Sequence, residues 1–216
     1  MSTTPAKPRR AGRPSAEAGP AVSRASLLEI AARQIGLHGF AGTTFRGIAA
    51  EAGVSYGSVQ HHFPTKQRLW SALVEEVLLP AHRAPSVVPS EADLGRVLTE
   101  RVRARVEAAV LRPGLSAAIL TDTSEGADAR FDELASATRA NREAERAMLR
   151  ALIAAGQLRA VDEVAVMAVL GIALTTLSSA KPAMAALLGL DMDDAASRER
   201  LAQGIADLLL HGLLPR

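Results

Sequence analysis

Cysteine is absent from all 216 residues. That excludes disulfides, thiolate metal sites and thiol nucleophiles, and makes a reducing cytoplasm the expected compartment. Aromatic residues are scarce at 3%, and strictly alternating apolar patterns are nearly missing, so a sheet is not expected. No secretory leader is expected either: residues 1–20 are basic and rich in Pro and Gly, without an apolar stretch. The longest run without a charge, Val164 to Ala180, has 17 residues and contains Thr175, Thr176, Ser178 and Ser179. It falls at the short limit of a membrane span and reads as a buried helix. What remains is ordinary globular material, 48% hydrophobic and 22% charged, enough for one or two domains.

The net charge of +2 conceals an asymmetry. Through residue 70 the chain has nine Lys and Arg against three acids, a balance of +6, while the remainder has 16 against 20, a balance of −4. A basic head on a mildly acidic body suits a module that meets a polyanion, since Lys and Arg beside phosphates release condensed counterions.

Apolar residues recur at three-to-four spacing, which predicts an all-α chain. Residues 1–22 read as a disordered basic arm, 23–80 as a head of short helices and 81–216 as a helical body. Ser23 or Ser26 can cap the first helix, Ser26 with Glu29 fitting a capping box, and Gly39 ends it. A second helix starts at Thr43 or Thr44 and runs to Ala52. Ser55 caps a third that reaches about His62, and a fourth runs from about Lys66 to Leu79, stopped by Pro80. In the body, helices are expected from about Leu94 to Pro113, Leu115 to Thr121, Ala129 to Ala155, Glu163 to Ala180 and Ser197 to His211.

The segment Phe45 to Phe63, FRGIAAEAGVSYGSVQHHF, meets the requirements of a helix-turn-helix. Small Ala49 lets two helices approach, Gly53 makes the turn, and Ile48, Val54 and Val59 pack the crossing. Tyr56, Gly57, Ser58, Gln60 and His61 would then be displayed on the second helix, where a major groove could receive them.

With LLEIAARQIGLHGF before this segment and PTKQRLW after it, the stretch Leu27 to Leu73 resembles the N-terminal domain of the TetR family of transcriptional regulators. The resemblance implies a homodimer with a three-helix DNA-binding domain and a C-terminal domain that binds a small effector. By position it also implies roles. Thr43 and Thr44 would hydrogen-bond a phosphate, and Arg46 would reach a guanine edge or a phosphate. Ser55, Tyr56, Gly57 and Ser58 would stand at the front of the recognition helix. Gln60, His61 and His62 would serve base edge or backbone, and Lys66 would clamp a phosphate. Gln60 departs from the aromatic common at its position. Phe63 and Trp70 are expected in the core. In the arm, Arg9, Arg10, Gly12, Arg13 and Pro14 approximate a minor-groove hook, or form a basic tail that only adds affinity.

Two features imitate catalysis. Gly53, Ser55 and Gly57 spell the G-x-S-x-G elbow of hydrolases, with Asp207 and His211 in suitable order, but the elbow needs a strand ahead of the serine and none is expected. The five histidines lack metal-ligand spacing. No enzyme, cofactor or metal is expected.

In the body, one stripe of the long helix passes through Phe131, Leu134, Thr138, Asn141, Glu145, Met148 and Leu152, and a competing one through Ala137, Ala140, Ala144, Ala147 and Ala151. If the first faces inward, Thr138 and Asn141 would orient a ligand in an oily cavity, with Thr175 a further candidate. One buried cation at most is expected, hence a medium-sized apolar effector. The helices at 163–180 and 197–211 are apolar over broad arcs and would pair across a twofold axis. The reading is a double-stranded-DNA-binding regulator, a repressor released from a palindromic operator by a small molecule. The alternative is an architectural DNA-binding protein without an effector.

Overall fold

The computed structural model describes residues 22–81, 90–179 and 181–213, so residues 1–21 of the basic arm and 82–89 after Pro80 lie outside them. The described residues form helices joined by turns, with no strand among them. The order is α1 (Arg24–Gly42), α2 (Phe45–Ala52), α3 (Tyr56–His62), α4 (Lys66–Leu73), a π-helical turn (Val74–Leu78), α5 (Leu79–Ala81), α6 (Glu91–Leu111), α7 (Leu115–Leu120), α8 (Ala127–Ala154), α9 (Glu163–Ser179), α10 (Lys181–Leu188) and α11 (Ala195–Leu213).

Side chains cap the head helices. Ser23, Thr44, Ser55 and Thr65 each accept a hydrogen bond from the backbone N–H three residues on, supplying one of the partners a helix start lacks. Ser23 therefore opens α1, and the expected Ser26–Glu29 box does not form: Glu29 instead takes two bonds from Arg112, at 3.1 and 2.7 Å. Thr44, not Thr43, opens α2. The expected fourth helix is interrupted by the π-helical turn, an insertion that sequence periodicity does not disclose. Pro182, in the first turn of α10, marks a helix that the sequence reading omitted.

The core of the head comprises Leu27, Leu28, Ala31, Ile35, Ile48, Val59, Phe63, Leu69, Trp70 and Leu73, and it extends through Val77 and Leu78 to Leu115 and Ile119 of α7. α7 is thus shared between head and body. The closest approach is a backbone contact: a Cβ on Gly36 would lie 2.3 Å from the Pro113 carbonyl oxygen, so α1 crosses the α6–α7 turn only because Gly36 has no side chain. A second core joins α6 to α11 through Val102, Val106, Ala202 and Ala206, and a third gathers Leu94, Leu152 and Leu158.

The uncharged run falls in α9, and in the single chain its Val164 and Val169 are exposed, as are Leu187 and Leu188 of α10 and Leu208 of α11. None of the described helices is long and apolar enough to cross a membrane.

Candidate nucleic-acid interface and effector chamber

α2 and α3 meet at a turn that depends on Gly53, whose φ of +68° is left-handed, and whose N–H bonds back to the carbonyl of Ala50 at 3.3 Å. Val54 N–H reaches Ala49 at 3.0 Å. Ile48, Ala49 and Val59 are buried beneath the crossing. With Val59 fixed inward, the helical repeat turns the other side of α3 outward: Tyr56, Gly57, Gln60 and His61 are exposed, while Ser58 and His62 are half-buried. The Tyr56 ring leans on Phe45 of α2, with centroids 6.2 Å apart. Thr44 and Arg46 stand exposed at the start of α2 beside that face, and among the described residues Arg46 has no carboxylate partner.

Two expected contacts are placed otherwise. Thr43 is 2% exposed and its hydroxyl donates to the Gly39 carbonyl at 2.9 Å, so it closes α1 and cannot present its hydroxyl to a phosphate. Lys66 is engaged within the fold. Its ammonium donates to the Ala41 carbonyl at 3.1 Å and lies 4.6 Å from the Phe40 ring centroid. Burial, with Arg130 nearby, holds its pKa below the ordinary lysine value. A long basic side chain beside unsatisfied helix-end carbonyls is drawn to them first.

The sequence reading missed Arg24. Its guanidinium donates to the His62 carbonyl at 3.0 Å and to Glu76 at 2.9 Å, and sits 4.6 Å from the Phe63 ring centroid. One cation thereby closes the C-terminus of α3 and ties it to α1 and the π-helical turn after α4. Glu51, on α2, accepts from Gln34 and Arg33 of α1; those hydrogen bonds hold its carboxyl below the usual range despite the opposing effect of burial.

Ser55 is the cap of α3: its hydroxyl oxygen accepts from the Ser58 N–H at 3.1 Å, and what precedes it is a helix and a turn. The elbow geometry of a hydrolase is therefore not formed.

Residues 27–73 match the model of the bacterial regulatory proteins of the tetR family. The match is confined to this N-terminal segment, which resembles the DNA-binding domain of that family. The segment also resembles the HTH-type transcriptional repressor KstR2 of Mycolicibacterium smegmatis, 42% identical over 65 residues, a match that spans 30% of either chain. Over most of its length the fold is that of solved regulators. The ketosteroid transcriptional regulator KstR2 of Mycobacterium tuberculosis superposes with a TM-score of 0.63 at 20% identity, covering 89% of this chain and 95% of that one. A TetR family transcriptional regulator from Pseudomonas syringae pv. tomato gives 0.55 at 21%, covering 89% and 97%.

The body holds a chamber of about 480 Å³ between the π-helical turn, α6, α7, α8 and α9. Of the two stripes on α8, the one through Phe131, Leu134, Thr138, Asn141 and Glu145 lines it, whereas Ala140, Ala144, Ala147 and Ala151 face solvent. The Thr175 side chain lies outside the described residues. The lining differs from expectation in its charge: Arg105, Arg112 and Arg142 all contribute. Their spacing on α6 and α8 looks like that of ordinary solvated arginines, so the sequence carries no signal for it.

Proposed function

We propose that this protein is a homodimeric transcriptional repressor whose paired α3 helices read a palindromic operator, and which leaves that operator when a small molecule fills the chamber. The observation that carries the reading is the exposed face of α3, held outward by buried Val59, in a chain whose first 70 residues carry a charge balance of +6. Thr44, Arg46, Ser55 and Ser58 flank it, positioned for phosphate or base edge, while Tyr56, Gly57, Gln60 and His61 occupy the centre. The family of the head supports regulation, and the similarity to a protein named as a repressor favours repression over activation.

A second copy is favoured by the apolar residues that α9, α10 and α11 leave exposed. The effector must bind the DNA-competent and DNA-incompetent arrangements unequally, or it shifts nothing.

The test is fluorescence anisotropy of the purified full chain on the promoter fragments flanking its own gene, against scrambled duplexes of equal length. Binding to one fragment at least about a thousandfold tighter than to scrambled DNA is expected. Equal affinity for every duplex would favour the architectural alternative.

A further inference from the structure

The chamber is polar at one end and oily at the other. Along α8 its lining passes from Phe131 and Leu134 through Thr138 to Asn141, Arg142 and Glu145, a distance of roughly 20 Å at the helical rise. The oily end is closed by Val77, Leu78, Leu115 and Ile119, the same residues that complete the core of the head.

At the charged end the positive side is in excess. Glu145 is the one carboxylate among the lining residues. Its Oε1 accepts from Arg105 at 2.5 Å and also from Arg101, so two guanidiniums share a single oxygen. Glu145 is 7% exposed. Among the described residues the Arg101 Nη1 is buried without a hydrogen-bond partner. Burial lowers the Arg101 pKa, Glu145 opposes that, and neighbouring Arg105 adds to it. Arg112 is neutralised by its two bonds to Glu29. Arg142 folds back along α8, donating to the Thr138 hydroxyl and the Ala135 carbonyl, at the exposed rim. The enclosed cluster of Arg101, Arg105 and Glu145 therefore holds one uncompensated positive charge beside an apolar space. An unpaired charge is costly there, and an entering anion relieves the cost.

We propose that the chamber takes an amphipathic monoanion, a carboxylate on an apolar body, with the carboxylate on Arg105 and Asn141 and the body against Leu78, Ile119 and Leu134. This deepens the effector-responsive reading and rests on it. Within the enclosed cluster an excess of one positive charge matches a monoanion, Arg142 being exposed at the rim and screened by water, and a guanidinium has five donors, more than one bond to Glu145 uses. The anionic head would also compete with Glu145 for Arg105.

The test is calorimetric titration of the full chain without DNA, using decanoate and naphthylacetate, each against its alcohol, decanol and naphthylethanol. Each carboxylate should bind roughly tenfold or more tightly than its alcohol, the margin of a charge-assisted hydrogen bond. Arg105→Gln should remove that margin while leaving the alcohols unchanged, and Glu145→Gln should widen it by freeing both arginines. A structural role alone would not give neighbouring substitutions of opposite sign. Equal affinity for acid and alcohol in the unsubstituted protein, or no binding of any of the four, overturns the proposal without recourse to a variant. Failure here with specific duplex binding intact leaves the regulator reading standing; loss of specific duplex binding refutes that reading, whatever the chamber binds.

Discussion

Gly36 and Gly114 touch backbone to backbone, close enough that a Cβ on Gly114 would lie 2.6 Å from the Gly36 carbonyl oxygen. What stands in the way on both sides is main chain, which cannot swing aside as a side chain would. Gly36→Ala should therefore destabilise the fold by about 1–3 kcal/mol, the usual cost of overpacking. The melting temperature of the variant checks this, and an unchanged value would mean that α1 does not cross the α6–α7 turn at this contact.

Arg24→Ala removes a bond to the His62 carbonyl, the contact with Phe63 and the pair with Glu76. That pair is 42% exposed on each side and is discounted for screening. A loss of about 1 kcal/mol is expected, mostly from the uncapped end of α3. Urea unfolding measures it. Arg24→Lys should recover only part, since an ammonium lacks the fork that serves two acceptors.

Tyr56→Ala and Arg46→Ala should differ in kind. The first should alter preference among operator variants by about 1–3 kcal/mol, and the second should weaken all duplexes alike while lowering the salt slope by about one. Affinities measured over a salt series on matched and mismatched duplexes separate the two. Identical profiles would mean that the roles assigned to these side chains are incorrect.

Acid should destabilise the fold by titrating carboxylates that it holds in the charged form. For Asp122, burial raises the carboxyl pKa, but bonds from Ser124 and Arg130 outweigh it and hold the value below the ordinary range. Glu51 is held low by Gln34 and Arg33. A depressed folded value contributes stability above the unfolded value and loses it as pH falls through the folded one. Thermal midpoints should thus drop as pH is lowered from about 5 toward 3. Asp122→Asn should reduce that dependence while lowering the midpoint at neutral pH.

Leu208→Glu should shift the protein toward monomers, because Leu208 is 77% exposed in the single chain and an interface would bury it. Sedimentation velocity reads the change directly. A chain that is monomeric before substitution would remove the dimer from the proposal.

Much of the head was legible in the residues themselves. Ser55, Gly53 and Val59 have local jobs that do not depend on distant sequence, and the structure places each where its chemistry requires. The partners that Thr43 and Lys66 find within the fold were not legible, because the Gly39 and Ala41 groups they meet are carbonyls, and carbonyls look alike at every position. Arg24 and the arginines of the chamber were missed for a related reason. Whether a guanidinium meets water or a carboxylate depends on tertiary neighbours such as Glu76 and Glu145, separated by 52 and 44 residues from the Arg24 and Arg101 they bind. The π-helical turn leaves periodicity almost unchanged over five residues, too short to register.

Leu115 and Ile119 complete the core of the head from a helix that begins more than thirty positions after α5 ends. Transplanting this head onto a relative by cutting the gene near residue 81 would leave one face of α1 bare and strand its complement on the discarded half. A working hybrid must carry α7 and its preceding turn along with the graft, so the exchangeable unit of this molecule is discontinuous in the gene.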